Sequence, residues 1–471
     1  MRYPQIKKLT SPAALRDRLA ELGLDLPVAD EVDPAGPLAQ PFTVHDGSAG
    51  AFEVPNRFAI LPMEGWDGTA EGGATDLVRR RWARFGTSGA GLVWAEATAV
   101  RPDGRANPHQ LVLDERTVAD LAELRGLLAP DQLVGLQLTH SGRWSRPDGT
   151  PQPRTAYAHP LLDARVGVGA EAVFGADELE ELAEAYIAAA VLAGQAGFGF
   201  VDVKHCHGYL LHELLSSRDR GDRFGGDLEG RTSFLRTVVA GIRARAPQVA
   251  VAVRLSVFDL APFATGPDGV GTCEAGERYP YAFGGDGTGR GIDLTEPHAL
   301  LDHLEALGIG LVCTTAGSPY YNPHVQRPAY FPPSDGYRPP EDPLVGVARQ
   351  ITATAELAAA HPSLAIVGSG YSYLQDWVAH VGQAVVAGGG ATAVGLGRMA
   401  LSYPDLPATV LAGRPLDARL VCRTFSDCTT APRNGLVSGC FPIDPFYKEH
   451  PQRVALTKAK QAAKAALRGA G

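Results

Sequence analysis

A chain of 471 residues is too long for one small domain and suits either one large barrel with appendages or two to three ordinary domains. A hydrophobic share of 45% beside 20% charged residues excludes wholesale disorder, and 55 Gly with 36 Pro argue for many turns and against long coiled coils. The net charge of -9, with no basic run beyond Arg79-Arg80-Arg81, argues against nucleic acid or an anionic membrane as partner and leaves a small-molecule substrate.

The start, MRYPQIKKLTSPAALRDRL, lacks the apolar centre of a signal peptide, and no stretch approaches the roughly 20 apolar residues that cross a bilayer. The expectation is a soluble, cytoplasmic protein whose six cysteines (206, 273, 313, 422, 428 and 440) are reduced thiols. Residues 12–22 read as an amphipathic helix, and a Pro/Gly-containing connector follows to residue 50. Eight short apolar runs come next, at 57–62, 91–100, 133–140, 200–206, 249–257, 310–317, 364–370 and 393–397. Most are nearly continuous Val, Leu, Ile and Ala, as strands buried on both faces should be. Helix-like stretches lie between them, clearest at 178–196, with 230–246, 296–307, 343–360 and 374–388 weaker.

Eight strand–helix alternations predict an α/β fold, an eight-stranded parallel (β/α)8 TIM barrel over 51–412. It carries an N-terminal extension (1–50) and a C-terminal one (413–471) that ends in an Ala/Lys-rich helix near 451–468. An open doubly wound sheet is the alternative; it would normally carry GxGxxG after its first strand, and no such motif opens a helix here. Residues 258–295 form a Gly- and aromatic-rich insertion of the length used for lids and binding loops.

In a barrel, chemistry belongs at the C-terminal strand ends. The first run ends Pro62-Met63-Glu64-Gly65-Trp66, the second contains Glu96-Ala97, and the third ends Gln137-Leu138-Thr139-His140-Ser141-Gly142-Arg143. The fourth delivers Lys204-His205-Cys206-His207-Gly208-Tyr209, and the fifth holds Arg254. Runs seven and eight end in Gly368-Ser369-Gly370 and Gly395-Leu396-Gly397-Arg398, small residues whose amides can approach an anion with a guanidinium alongside. Taken singly, His140, His205 and His212 are equally well read as core or capping histidines, and Cys206 and Cys313 as small buried hydrophobes.

Together these pieces resemble the Old Yellow Enzyme and 2,4-dienoyl-CoA reductase group of FMN oxidoreductases. The resemblance runs from Asn56-Arg57 to Asp405. It rests on Asn-Arg followed by Pro-Met, on QLxHxGR at 137–143, HGYLLxELL at 207–215, DRFGGDLEGR at 222–231 and VGLGR at 394–398. It implies bound FMN reduced by NADPH or NADH. Gln137 would face the pyrimidine side of the isoalloxazine, with Arg254 near N1 and O2. Pro62, Met63 and Ala97 would line the ring, while Gly368, Gly370, Gly397 and Arg398 would hold the phosphate. His207 matches a donor to the substrate's activating oxygen, and Tyr209 the tyrosine that protonates the α-carbon. Tyr320, Tyr321 and His324, after the sixth strand, are expected to touch substrate.

The chain departs from its relatives at three places. Lys204 occupies the first position of the usual His pair, with catalytic consequences; a local bulge that puts the substrate-facing His205 there instead is the alternative. Glu64 stands where relatives place Thr or Cys near flavin O4, and a carboxylate there would oppose reduction. In the dienoyl-CoA reductase branch CxxCxxxC is followed, eleven residues on, by Cys-Pro. Here Cys428 and Cys440 keep the final spacing, but Val421 and Thr424 fill the earlier places, so no iron-sulfur cluster is expected. No metal site is read elsewhere.

The expectation is an ene-reductase-like enzyme passing hydride from NAD(P)H through flavin N5 to an activated C=C bond, such as that of an α,β-unsaturated carbonyl or an aromatic natural product. Two alternatives stand beside it: a Schiff-base lyase or aldolase using Lys204, and a flavin-binding protein without reductase activity. The natural substrate, the choice of nicotinamide and assembly into a homo-oligomer stay open.

Overall fold

The computed structural model of the chain describes residues 3–469. Two antiparallel strands, β1 (Phe42–Asp46) and β2 (Gly50–Val54), precede the first barrel strand, β3 (Phe58–Ile60). The barrel continues with β4 (Leu92–Ala99), β5 (Leu133–Thr139), β6 (Phe200–Val203) and β7 (Ala250–Phe258). A small antiparallel pair, β8 (Phe263–Thr265) and β9 (Gly271–Cys273), lies within the 258–295 insertion. The barrel then resumes with β10 (Leu311–Ala316), β11 (Ala365–Gly368) and β12 (Ala393–Leu396), which pairs back onto β3 in parallel. All eight apolar runs become the eight barrel strands.

The helices also fall where the patterns put them, at Ala176–Gln195, Ser233–Arg245, Thr295–Ala306, Pro343–Ala360 and Val378–Ala387. Among the described residues no helix is long and apolar enough to cross a membrane.

Strand periodicity sorts the side chains. Ala59, Leu92, Trp94, Leu133, Phe200, Ala250, Ala252, Leu311, Cys313, Ala365, Val367 and Ala393 make one inner cluster, while alternate residues such as Val93, Val134, Val201 and Val253 join the outer core against the helices. Both strand faces are buried, which is why the runs read as continuous rather than alternating.

Gly135 makes room inside: a Cβ there would lie 2.1 Å from the ring of Phe200, which sits edge-on to Trp94 with centroids 5.0 Å apart. The connector read before residue 50 contains the β1–β2 hairpin, whose Phe42, Val44 and Val54 join the inner cluster and close the end of the barrel away from the site.

Candidate active site

The inward alternation that buries Phe200 and Asp202 brings Lys204 to the mouth of the barrel. Strand β6 pairs with β5 and β7 without a register shift. His205 therefore falls on the outward side, bridging Leu255 by its backbone, with Nδ1 2.6 Å from the Val203 carbonyl. Lys204, and not His205, holds the inward place.

Below the mouth Asp202 accepts hydrogen bonds from Trp94 Nε1 (2.8 Å), Gln137 Nε2 (2.6 Å) and the Arg254 amide (2.7 Å). Burial still wins over these donors and pushes its carboxyl up to about 6.

Above this layer opens a cavity of about 210 Å³. Pro62, Met63, Lys204, His207, Tyr209, Arg254, Tyr320, Gly370, Gly397 and Arg398, all expected at the site, line it. Ala97, Gln137 and Gly368 are buried but do not reach it. Nor do His205, Tyr321 and His324, which were expected at the substrate. Tyr321 donates its hydroxyl to Asp259, and His324 Nδ1 lies 2.7 Å from the Tyr337 hydroxyl. No residue of the 258–295 insertion lines the cavity.

The loop after β6 carries two consecutive left-handed residues, His207 (φ 67°) and Gly208 (φ 73°). A Cβ on Gly208 would lie 2.7 Å from Tyr321, so glycine is required there. The turn is held by Ser256 Oγ accepting from the His207 amide (3.1 Å) and by Ser318 Oγ donating to its carbonyl (2.8 Å). His207 itself pays the backbone strain, which in a non-glycine residue marks a position fixed by its surroundings. Its Nε2 sits 3.4 Å from Thr315 Oγ1 and 3.2 Å from Gln326 Nε2. Burial first, then Arg254 and Lys204, hold its pKa well below the ordinary value, so the imidazole is neutral near pH 7.

Tyr209 is buried with its hydroxyl 3.0 Å from that of half-buried Tyr320, whose ring stacks on Trp144 at 4.4 Å. Lys204 Nζ lies 3.9 Å from the centroid of the Tyr209 ring. The same ammonium is 3.4 Å from Glu64 Oε1, while Glu64 Oε2 accepts from Trp66 Nε1 at 2.8 Å. The two unusual residues thus form one ion pair, and the carboxylate expected to oppose negative charge at the mouth is matched by a cation.

The sequence motifs support one another in space. Arg143 of the third run donates to Glu213 of the HGYLL segment (2.6 Å), and Glu213 accepts from the Ala156 amide (3.1 Å). Arg231 donates to Glu296 and to the Leu215 carbonyl. These pairs anchor the loop that carries His207 and Tyr209.

Sequence reasoning missed Gln326, Arg327, Thr429 and Arg433, which also line the cavity. Arg433 comes from helix Asp427–Arg433 of the C-terminal extension, a segment with no local signal that it folds back over the mouth. Cys422, Cys428 and Cys440 border a separate recess of about 20 Å³ beside Arg398. That is one thiol short of a four-cysteine set.

A sequence profile of the NADH:flavin oxidoreductase / NADH oxidase family matches residues 38–275. The chain belongs to this family. Within it, the chain is 30% identical to an NADH:flavin oxidoreductase of Gibberella zeae over 224 residues, 44% of this chain and 54% of that one. It is 28% identical to an NADPH dehydrogenase of Bacillus subtilis over 211 residues, 44% and 60% respectively. The match thus spans little more than half the length of these relatives. Among solved structures the fold is shared with 2-naphthoyl-CoA reductase in complex with 2-naphthoyl-CoA (TM-score 0.67, 20% identity, 88% of this chain and 58% of that one). It is shared too with an Old Yellow Enzyme homologue from Zymomonas mobilis (TM-score 0.56, 22% identity, 81% and 94%).

The residues present fit the flavin mononucleotide of this family. Among the described residues Arg254, 5% exposed, has no carboxylate partner and its Nε is buried without a hydrogen bond, which suits a ring that gains negative charge on reduction. Ser369, Gly370 and Gly397, with Arg398, whose Nη1 is also unpartnered, suit a phosphate.

Proposed function

We propose that this chain is an FMN-dependent NAD(P)H oxidoreductase that reduces an activated C=C bond, with an α,β-unsaturated carbonyl as the substrate class. The unpaired Arg254 guanidinium in the floor of a cavity that also holds His207 and Tyr209 carries the reading. FMN bound in this cavity would supply the hydride transfer that links the nicotinamide to the substrate's β-carbon. Neutral His207 donates a hydrogen bond to the substrate carbonyl and makes that carbon electrophilic. Tyr209 delivers the proton to the α-carbon, and Tyr320, bonded to it and nearer solvent, restores that proton. Arg254 would balance the negative charge that the ring gains on reduction. Pro62 and Met63 would border the ring, with buried Ala97 and Gln137 in the layer behind the cavity wall, and Gly370, Gly397 and Arg398 would hold the phosphate end, with Gly368 buried behind them. Lys204, paired with Glu64, fixes the Tyr209 ring.

Pairing with a carboxylate is the reverse of the apolar or cationic surroundings that activate a Schiff-base lysine, which weighs against the lyase reading. Three thiols at the C-terminal recess support a chain without an iron-sulfur cluster, supplied directly by NADPH or NADH. The test is to release and identify the chromophore, follow its anaerobic bleaching by each nicotinamide, and then screen conjugated carbonyl compounds for reoxidation. A colourless protein active on a keto acid would overturn the proposal. A flavin that neither nicotinamide bleaches would leave only a binding protein.

A further inference from the structure

Five cationic side chains line the one cavity: Lys204, Arg254, Arg327, Arg398 and Arg433. Two of them have carboxylate partners, Lys204 with Glu64 and Arg433 with Asp335 at 2.5 Å. Among the described residues the other three, Arg254, Arg327 and Arg398, have none, and Arg254 is the one already assigned to the ring.

Arg327 Nη1 donates to Thr429 Oγ1, while its Nε and Nη2 are buried without a partner. Arg398 Nη2 donates to the Pro328 carbonyl (2.8 Å), and its Nη1 is buried without a partner. Because Pro328 follows Arg327 in the chain, that bond ties Arg398 to the segment that carries Arg327, and both side chains line the same cavity. Burial, then Arg433 and Arg398, disfavour the charge on Arg327. Two like charges on one cavity wall with three buried, unsatisfied nitrogen atoms are costly unless an anion lies between them.

We propose that Arg327 is a second guanidinium clamp on the flavin 5′-phosphate, sharing that dianion with Arg398. The inference rests on the flavin reading above. Arg398 directly follows β12, which lies opposite β6 in the ring of eight strands and adjoins β11, whose end carries Ser369 and Gly370. Lys204, His207 and Tyr209 follow β6. Arg398 therefore stands with the glycines that admit a phosphate, and Arg327 lies on the wall between that end and His207, whose charged form it also disfavours. Residue 326 extends the arrangement, since Gln326 touches His207 and Arg327 the phosphate, so one short turn contacts both ends of the reaction.

The full chain, stripped of flavin and titrated with FMN or riboflavin by fluorescence quenching, tests this. Wild type should prefer FMN. Arg327→Met should weaken FMN by about 10- to 100-fold, the span of one to two charge-assisted hydrogen bonds, and leave riboflavin binding unchanged. Arg327→Lys should recover part of the loss. Unchanged riboflavin binding also reports that the variant is folded. Equal weakening of both ligands would make Arg327 merely structural, and no weakening of either would assign its charge to the substrate; both results overturn the clamp. A wild type that binds the two flavins equally overturns the clamp but leaves the flavin reading standing. A wild type that binds neither removes both.

Discussion

Tyr209 and Tyr320 show how burial divides labour between two identical groups. Burial raises both phenols, Tyr320 to about 12 and Tyr209 well above its ordinary value, so each is protonated at neutral pH and Tyr209 can act only as a proton donor. Tyr209→Phe should slow reoxidation of the reduced enzyme by an enone at least about 100-fold while leaving its reduction by NADPH within a factor of two. Stopped-flow absorbance resolves the two half-reactions, and an unchanged oxidative half-reaction would remove Tyr209 from the mechanism. Lys204 and Glu64 illustrate a different limit. Read singly along the chain each is an anomaly, and only their 3.4 Å separation shows that one answers the other.

Strands β5 and β6 are matched through a void and the group that fills it. Gly135 leaves the space that Phe200 occupies, so Gly135→Ala must displace the ring or the strand. Overpacking of this kind costs about 1–3 kcal/mol and should lower Tm by several degrees. Phe200→Leu added to Gly135→Ala should recover part of that loss, although Phe200→Leu alone destabilises. Additive losses in a thermal-denaturation cycle would refute the pairing. At the same scale, a bulge at Glu96 shifts the β4–β5 register between Ala95 and Ala97. It turns the Glu96 carboxylate out to Arg81 (2.8 Å) and Trp82 Nε1 (2.9 Å), and so Glu96 stays out of the cavity.

For the molecule as a whole, the polar layer inside the barrel couples stability to pH. Asp202 has a folded-state pKa raised to about 6 against an ordinary value near 3.9. A raised acid pKa means that the folded state binds the proton more tightly. Its contribution therefore falls as pH rises from about 4 to about 6 and stays reduced above that. Asp202→Asn has no charge to bury. On going from pH 4 to pH 7 wild type should lose on the order of 2–3 kcal/mol relative to the variant, measured by urea unfolding at both pH values. Parallel changes in the two proteins would show that Asp202 does not titrate in this range.

The barrel was legible because its evidence is local. Continuous apolar runs followed by helical periods express the double burial of parallel strands, and the alternation of side chains along β6 and β7 aims Lys204 and Arg254 at the mouth. The motif residues His207, Tyr209, Gly370, Gly397 and Arg398 could be marked on the chain for the same reason, since each belongs to a strand end. The β1–β2 hairpin could not, because its short strands are stabilised by the barrel floor and carry little pattern of their own. Nor could Arg327 and Arg433, which reach the cavity through an irregular loop and a returning C-terminal helix, or the exclusion of Tyr321 and His324, which are drawn to Asp259 and Tyr337. Periodicity fixes which face of an element a side chain takes. Which distant loops meet above that face depends on long-range packing that no local pattern encodes.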